Sequence, residues 1–176
     1  MRQLIGGCAR NDRVSQEKLY RQFYAPLFAL CRRFFVNDHE AMESVNDGMM
    51  KVFEKIGSYH EDKGRFFNWV YTIVRNTAVD KFRSAVSIPV MDPGRSAEVL
   101  ADADPDHDPG LGLERRQLSL LFDRLSPAPR GICNLFYVEG YTIREIAGQL
   151  GVSIGTVKWH LSESRKKLRP IFEKYF

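Results

Sequence analysis

Residues 65–83 read RFFNWVYTIVRNTAVDKFR and place three Phe, one Trp and one Tyr among four basic side chains. Apolar residues recur there at three- and four-residue steps without strand-like alternation, which predicts a helix. Phe66 would face a core, while the opposite face would carry Asn68, Tyr71, Arg75 and Phe82. Such a mixture suits unpaired nucleic acid, because bases stack on rings at about 1–3 kcal/mol each while cations hold the backbone. The alternative is a helical core that the rings fill, with solvated charges around it.

The residues before this stretch predict two further helices. Apolar side chains between Leu19 and Phe34 recur at helical spacing, which predicts a first helix that Pro26 would kink or divide. A second helix is predicted from about Asp38 to Ile56, with Gly57 as its stop. Gly48 lies in the middle of that helix, where it costs about 1 kcal/mol relative to Ala.

Charge divides the 176-residue chain into two basic lobes and an acidic middle. Residues 1–84 hold 14 basic and 10 acidic side chains, a net +4, and residues 113–176 hold 11 and 6, a net +5. Residues 85–112 hold one basic and six acidic side chains, a net −5, with four Pro and three Gly. Such a segment buries too little apolar area to offset the entropy of ordering. We therefore predict two small domains joined by an irregular acidic linker.

The second lobe contains the clearest motif, YTIREIAGQLGVSIGTVKWHLSESRKKLR at residues 141–169. Thr142 and Glu145 have the spacing of a capping box, Gly151 suits a left-handed helix end, and Ser153 can cap the next helix. This pattern predicts a helix-turn-helix whose second helix lies in the major groove. The predicted helices of the lobe are 114–125, 127–138, 142–150 and 154–168.

The second helix of the motif would divide into an inner and an outer face. The inner face comprises Ile154, Val157, Leu161 and Leu168. The outward residues are Thr156, Lys158, Trp159, Ser162, Glu163, Arg165 and Lys166. Trp159 is either an anchor packed on a neighbour or a contact to base and sugar. The alternative for the whole motif is a helical bundle with one solvated basic helix.

The stretch at 65–83 closely resembles the second conserved domain of bacterial sigma factors of the sigma-70 family, in the extracytoplasmic-function (ECF) group. In that family a Phe, a Trp three residues on, an Ile, an Arg-Asn pair, an Asp and a final Arg follow at set spacings. The matching residues are Phe66, Trp69, Ile73, Arg75, Asn76, Asp80 and Arg83. The helix-turn-helix at 141–169 is similar to the fourth conserved domain of the family, so the resemblance covers both lobes in order.

This resemblance implies an all-α fold of two small helical domains and gives each a task. Residues 1–84 correspond to domain two, which docks on core RNA polymerase and recognises and melts the minus-ten element. Residues 85–112 are the flexible acidic linker. Residues 113–176 correspond to domain four, whose helix-turn-helix reads the minus-thirty-five element. The segment AMESVNDGMMKVFEKI, residues 41–56, is similar to the family's acidic helix that docks on the polymerase clamp.

Three groups of site residues are expected from the matched motifs and from the chemistry of their neighbours. The polymerase-docking residues are Glu43, Asn46, Asp47, Met50 and Lys51. The minus-ten residues are Tyr59, His60, Lys63, Arg65, Asn68, Trp69, Tyr71, Arg75, Asn76, Lys81 and Arg83. The minus-thirty-five residues are Ser153, Thr156, Lys158, Trp159, Ser162, Arg165 and Lys166. In the family, the loop that corresponds to residues 58–65 helps capture a base turned out of the stack; the alternative for Tyr59 is packing on the core.

The resemblance also implies three partners: core RNA polymerase, promoter DNA and an anti-sigma protein, which is commonly membrane-bound in the family. No cofactor or metal is expected, since the four histidines have no ligand spacing. A cytoplasmic location without membrane insertion is expected, because no run of about eighteen apolar residues is present. The three cysteines form no CxxC pair, which favours a reducing compartment.

Two other classes of protein compete with this interpretation. A helix-turn-helix regulator of the response-regulator type would bind duplex operators without being a polymerase subunit. It needs a receiver or ligand domain, normally built on a parallel sheet, and residues 1–84 show no strand pattern. An enzyme is disfavoured because GLGLERR at 110–116 lacks the Lys-Ser/Thr that a phosphate loop requires.

Overall fold

The computed structural model describes residues 1–88 and 121–175, with side chains described as far as Ile171. The described residues are helical and contain no strand, which confirms the all-α prediction. Because residues 1–84 are all described and include no strand, they do not form the parallel sheet of a receiver domain. Contacts divide the chain into two units, Met1–Lys81 and Phe82–Phe176. The predicted domain boundaries at residues 84 and 113 stay predictions.

Four α-helices account for the first part of the chain. They are α1 (Arg2–Ala9), α2 (Arg13–Cys31), α3 (Asp38–Lys55) and α4 (Phe66–Ala85). Two short 3₁₀ helices, Ile56–Ser58 and Glu61–Lys63, lie between α3 and α4. Asp12 caps α2 by accepting a 3.1 Å hydrogen bond from the backbone N–H of Ser15, and Asn37 caps α3 in the same way.

Pro26 does not divide α2, which is continuous from Arg13 to Cys31. A proline inside a helix costs about 3 kcal/mol. Phe23, Leu27 and Leu30 lie on both sides of it and are buried, and each such side chain stabilises the fold by about 1.5–3 kcal/mol. Burial of the apolar face therefore outweighs the local cost of Pro26, so the expectation of a divided helix is wrong.

Gly48 has a packing role that its cost in an isolated helix does not reveal. It lies in α3 where that helix crosses α4, and a Cβ added to it would lie 2.9 Å from Cγ2 and 3.0 Å from Cα of Val74. Val45 and Val70 are fully buried on the same two helices. The absence of a side chain at Gly48 lets α3 and α4 approach closely, so the two helices that carry the predicted docking and minus-ten residues pack directly on each other.

The second unit contains the helix-turn-helix that the sequence predicts. Its described helices are α5 (Pro127–Cys133), a π-helical segment (Asn134–Val138), α6 (Ile143–Leu150) and α7 (Ile154–Tyr175). The capping box is present: Thr142 Oγ1 accepts from the Glu145 N–H at 3.2 Å, and Glu145 Oε2 accepts from the Thr142 N–H at 2.9 Å. Gly151 ends α6 with a φ of 68°, and Ser153 Oγ accepts from the Thr156 N–H at 3.0 Å.

The inner face of α7 is wider than the sequence predicts. Val157, Leu161 and Leu168 are buried as expected, but Ile154 is 42% exposed. Three polar residues complete the buried face: Thr156, His160 and Ser164. The hydroxyl of Ser164 donates to the backbone carbonyl of His160 at 2.7 Å, so its polarity is satisfied locally. A helix face that packs on two neighbours is broader than its apolar residues alone indicate.

The three cysteines are free thiols in the packed interior of the described units. Burial raises the pKa of Cys31 to about 11 and that of Cys133 to about 12. Both thiols therefore stay protonated at neutral pH and act as small apolar side chains.

Several predictions fall on residues 89–120, outside the described residues. They are the irregular linker beyond residue 88, the start of the helix at 114–125, and the GLGLERR stretch. Within the described part, no helix is both long and apolar enough to cross a bilayer.

Candidate functional site

The predicted docking residues form one surface on α3. Asn46, Asp47 and Met50 are exposed, while Glu43 and Lys51 are half-buried. Met50 is 59% exposed. Methionine adapts its shape to a partner surface and is frequent at binding sites. This docking face thus combines carboxylates with an exposed methionine, which suits a protein partner.

The carboxylates of the docking face already have a partner within the first unit. Lys81 Nζ of α4 lies 3.0 Å from Glu43 Oε2 and 3.2 Å from Asp47 Oδ2. Burial alone would lower the pKa of Lys81, but the hydrogen bonds and negative charges of Glu43 and Asp47 outweigh it and raise that pKa. Lys81 therefore lies on the α3 side of α4, apart from the other predicted minus-ten residues, and its prediction as a phosphate contact is not supported by its position.

An aromatic residue that the sequence analysis missed supports the docking face. The hydroxyl of Tyr20 in α2 donates to Asn46 Oδ1 at 2.7 Å. The ring of Tyr20 lies 5.5 Å from that of Tyr24, which lies 5.5 Å from that of Phe28. The signal was available, because these three aromatic residues recur every four positions, one place after the buried Leu19.

The loop between α3 and α4 is built around Tyr59. Its ring centroid lies 4.9 Å from that of Phe66 and 5.6 Å from that of Trp69. Its hydroxyl donates to the carbonyl of Gly64 at 2.9 Å, and Gly64 has a φ of 133° that favours glycine. Tyr59 and Trp69 are half-buried in this cluster. The position of Tyr59 therefore agrees with packing on the core, the second of the two roles expected for it.

The remaining predicted minus-ten residues of the loop and of α4 lie at the protein surface. Those that are exposed are His60, Lys63, Arg65, Asn68, Asn76 and Arg83, and those that are half-buried are Tyr71 and Arg75. Asn68, Tyr71 and Arg75 follow each other at three- and four-residue steps and lie on one face of α4. This face and the exposed residues of the loop bring amides, rings and cations together, the combination that binds single-stranded nucleic acid.

A second pair that the sequence analysis missed ties the loop to α1. Arg2 Nε lies 3.0 Å and 2.9 Å from the two carboxylate oxygens of Glu61, and Arg2 Nη2 lies 2.8 Å from Glu61 Oε2. Glu61 is in the 3₁₀ helix of the loop. No sequence signal pointed to this contact, since the two residues are 59 positions apart.

In the second unit, α7 exposes only part of the predicted minus-thirty-five group. Ser153 and Lys166 are exposed, and Lys158, Trp159 and Ser162 are half-buried. Lys158, Ser162 and Lys166 are four residues apart and share a face. Lys166 Nζ lies 2.9 Å from Glu163 Oε1. The ring of Trp159 lies 4.7 Å from that of His160. The outer side of α7 therefore carries a stripe of polar side chains and the indole ring of Trp159.

Two residues predicted to face DNA point inward instead. Thr156 is fully buried, with its hydroxyl 2.9 Å from Ser153 Oγ. Arg165 Nε donates to the Tyr137 hydroxyl at 2.7 Å, and its guanidinium carbon lies 6.0 Å from the Tyr137 ring centroid. The outward placement of Thr156 is wrong, and Arg165 is directed toward the π-helical segment. In both cases the polar side chain forms a hydrogen bond inside the unit.

Two family models match the chain, one in each lobe. The model described as sigma-70 region 2 matches residues 19–87. The model described as sigma-70, region 4, matches residues 115–168. Together these segments cover more than half of the 176 residues. The first contains α3 and α4, and the second contains the helix-turn-helix.

Curated relatives agree with these matches. The ECF RNA polymerase sigma factor SigE of Mycolicibacterium smegmatis is 27% identical over 166 residues, which are 92% of this chain and 63% of that relative. The ECF sigma factor SigK of Mycolicibacterium vanbaalenii is 25% identical over 94% of this chain and 86% of its own. Among solved structures, the sigma factor RpoE of Bartonella quintana, in complex with the anti-sigma factor NepR, is 21% identical over 91% of this chain and 98% of its own, with a TM-score of 0.47.

Proposed function

Since this chain belongs to the sigma-70 family of RNA polymerase sigma factors, in the ECF group, we propose that it directs core RNA polymerase to promoters through three separate surfaces. Residues 1–84 serve as the domain that docks on polymerase and opens the minus-ten element. Residues 113–176 serve as the domain that reads the minus-thirty-five element in duplex DNA. The protein acts by binding rather than by catalysis, and its place is the cytoplasm, where polymerase and promoter DNA are.

The face of α4 and its neighbouring loop support this function most directly. Asn68 and Asn76 are exposed, so their amides can bond to the edges of unpaired bases. Tyr71 and Arg75 are half-exposed beside them and offer a ring for stacking and a cation for phosphate. The close contact of α4 with α3 keeps this face in a fixed position relative to the docking face.

The loop at 58–65 captures a base that has left the duplex. Extruding a base costs a few kcal/mol, which the loop must return through stacking and hydrogen bonds. His60 can stack, while Lys63 and Arg65 can hold phosphates, and all three are exposed. Tyr59 supports the loop from its core side rather than stacking on the base.

Replacing residues 60–63 with a Gly/Ser segment is expected to lower initiation about tenfold, on a fully duplex promoter and on one with a mismatched minus-ten region. Capture is lost on both templates, while Tyr59 and Gly64 remain to close the loop. The measurement is run-off transcription with core polymerase on both templates. A variant that retains full initiation on both would contradict capture. A defect on the duplex alone would assign the loop to melting.

The outer stripe of α7 reads duplex DNA. Lys166→Ala is expected to weaken binding to all promoters alike and to reduce the slope of log K against log salt by about one, because one phosphate contact is lost. Glu163→Gln is the matched control: it removes the carboxylate 2.9 Å from Lys166 Nζ and should strengthen binding.

Trp159→Ala should change which upstream element is preferred, as measured by selection from a randomised library. An unchanged preference would return Trp159 to a packing role.

The third partner is an anti-sigma protein, as is common in this group. Such a partner would hold the factor inactive by covering the surfaces that polymerase or DNA needs. Co-purification of the chain from its native cells, followed by identification of bound proteins, tests for it; recovery of the chain with core polymerase alone under all growth conditions would argue against it.

A further inference from the structure

We infer that Arg2 of α1 is a positioning residue for the capture loop at 58–65, acting through Glu61. The guanidinium grips both carboxylate oxygens, with N–O distances of 2.8–3.0 Å. The Nε–H is shared between the two oxygens, and Nη2 lies 2.8 Å from Oε2 as a further ionic contact. A charged hydrogen bond to both oxygens restrains the orientation of the carboxylate as well as its distance. The inference rests on the capture function proposed for the loop and assigns α1 to that function.

The loop needs such a support because its own structure is weak. Gly57 precedes it and Gly64 lies within it, and a Cβ at either position would meet nothing within 4 Å. Glu61–Lys63 is a single 3₁₀ turn, which is poorly bonded on its own. The hydrogen bond from the Tyr59 hydroxyl to the Gly64 carbonyl lies within the loop and does not connect it to another helix. Arg2 and Glu61 join it to a helix that is distant in sequence.

The helix that carries Arg2 is well anchored. A Cβ at Gly7 would overlap with Ser15 Oγ, so α1 packs tightly on the start of α2. Cys8 is fully buried at the same contact. Because α1 is held at this contact, the ion pair between Arg2 and Glu61 restrains the position of the loop relative to α1.

The expected effect is moderate and confined to DNA opening. Arg2 and Glu61 side chains are 85% and 49% exposed, and pairs this exposed contribute little to global stability. We therefore expect a change of about two- to fivefold in the rate of open-complex formation, with no change in melting temperature or in affinity for core polymerase.

The decisive variant is Glu61→Gln, because the competing explanation predicts the opposite sign. If Glu61 acted only as a negative charge near DNA, its removal would speed opening. If it positions the loop, its removal slows opening about two- to fivefold. The measurement is the rate of open-complex formation by the holoenzyme, on a promoter identified by run-off transcription. A faster or unchanged rate overturns the inference.

A charge swap between Arg2 and Glu61 and a control variant at another surface ion pair complete the test. Arg2→Glu alone should slow opening to a similar extent, and combining it with Glu61→Arg should restore the rate because the pair re-forms with reversed charges. A combined variant as slow as Arg2→Glu alone overturns the inference. Glu17→Gln is the control: Glu17 pairs with Arg21 on α2 at 2.7 Å with side chains 60% and 78% exposed. Its opening rate should stay at the wild-type value.

Comparison with the Gly/Ser loop variant distinguishes failure of the positioning role of Arg2 from failure of base capture by the loop. If replacing residues 60–63 impairs initiation while Glu61→Gln does not, capture stands and only the role of Arg2 fails. If the Gly/Ser variant initiates normally, capture itself fails and the role of Arg2 fails with it.

Discussion

Gly48→Ala is expected to destabilise the first unit by up to about 2 kcal/mol, although alanine is the better helix former. The new Cβ would lie 3.0 Å from Cα of Val74, a backbone atom that cannot rotate away. Val74 Cγ2 would lie at 2.9 Å, and a valine in a helix has one strongly preferred rotamer. Overpacking of this kind costs about 1–3 kcal/mol, which exceeds the gain of about 1 kcal/mol in helix propensity.

The second unit provides a matched control for that substitution. Gly148 also lies inside a helix, α6, but a Cβ there would meet nothing within 4 Å. Gly148→Ala should therefore stabilise by about 0.5–1 kcal/mol. Both variants are measured by thermal and urea unfolding, with a probe in each unit. If Gly48→Ala were as stable as Gly148→Ala, the close contact of α3 with α4 would be wrong.

Capping signals explain why the sequence predicted the helix-turn-helix so well. Thr142 and Glu145 bond to each other across three residues, and Ser153 bonds to the N–H of Thr156 at the same spacing. Gly151 has the positive φ that ends a helix. Such interactions form within one turn and do not depend on the rest of the fold, so residue identity at fixed spacing is enough to predict them.

Side-chain direction was less predictable, because contacts inside the folded unit decide it. Polarity alone placed Thr156 and Arg165 outward on α7. Arg165 instead donates to Tyr137, 28 positions earlier, and Thr156 is satisfied by Ser153 while its methyl group is buried. A pattern of polar and apolar residues does not show which polar groups find a partner inside the unit.

Lys81 is a case in which the sequence held more information than was used. It follows Asn68 by thirteen positions, which at 3.6 residues per turn places it about 220° around α4. It could not share a face with Asn68, so a contact with α3 was the better prediction. The pair of Arg2 with Glu61 had no such signal. It depends on how α1 packs on α2, which a single sequence does not specify.

Reversing the charge of Glu43 and Asp47 to Lys is expected to weaken binding to core polymerase about 10- to 100-fold, equivalent to about 1.4–2.7 kcal/mol. Opposite charges across an interface become like charges, which repel and slow association. The double variant alone is ambiguous, however. It would place two new ammonium groups beside Lys81, whose Nζ lies 3.0 Å and 3.2 Å from the native carboxylates, and the contact of α3 with α4 would also suffer.

Adding Lys81→Glu to the double reversal separates docking from folding. In this triple variant opposite charges again face each other between α3 and α4, so its melting temperature should return close to that of the wild type. The charge that it presents to polymerase stays reversed, and core binding should stay weak in a pull-down or by fluorescence anisotropy. Glu17→Lys reverses an exposed charge on α2 that is not among the predicted docking residues, and it should bind normally. Recovery of core binding by the triple variant would mean that Glu43 and Asp47 act through Lys81 and the fold, and that polymerase docks elsewhere.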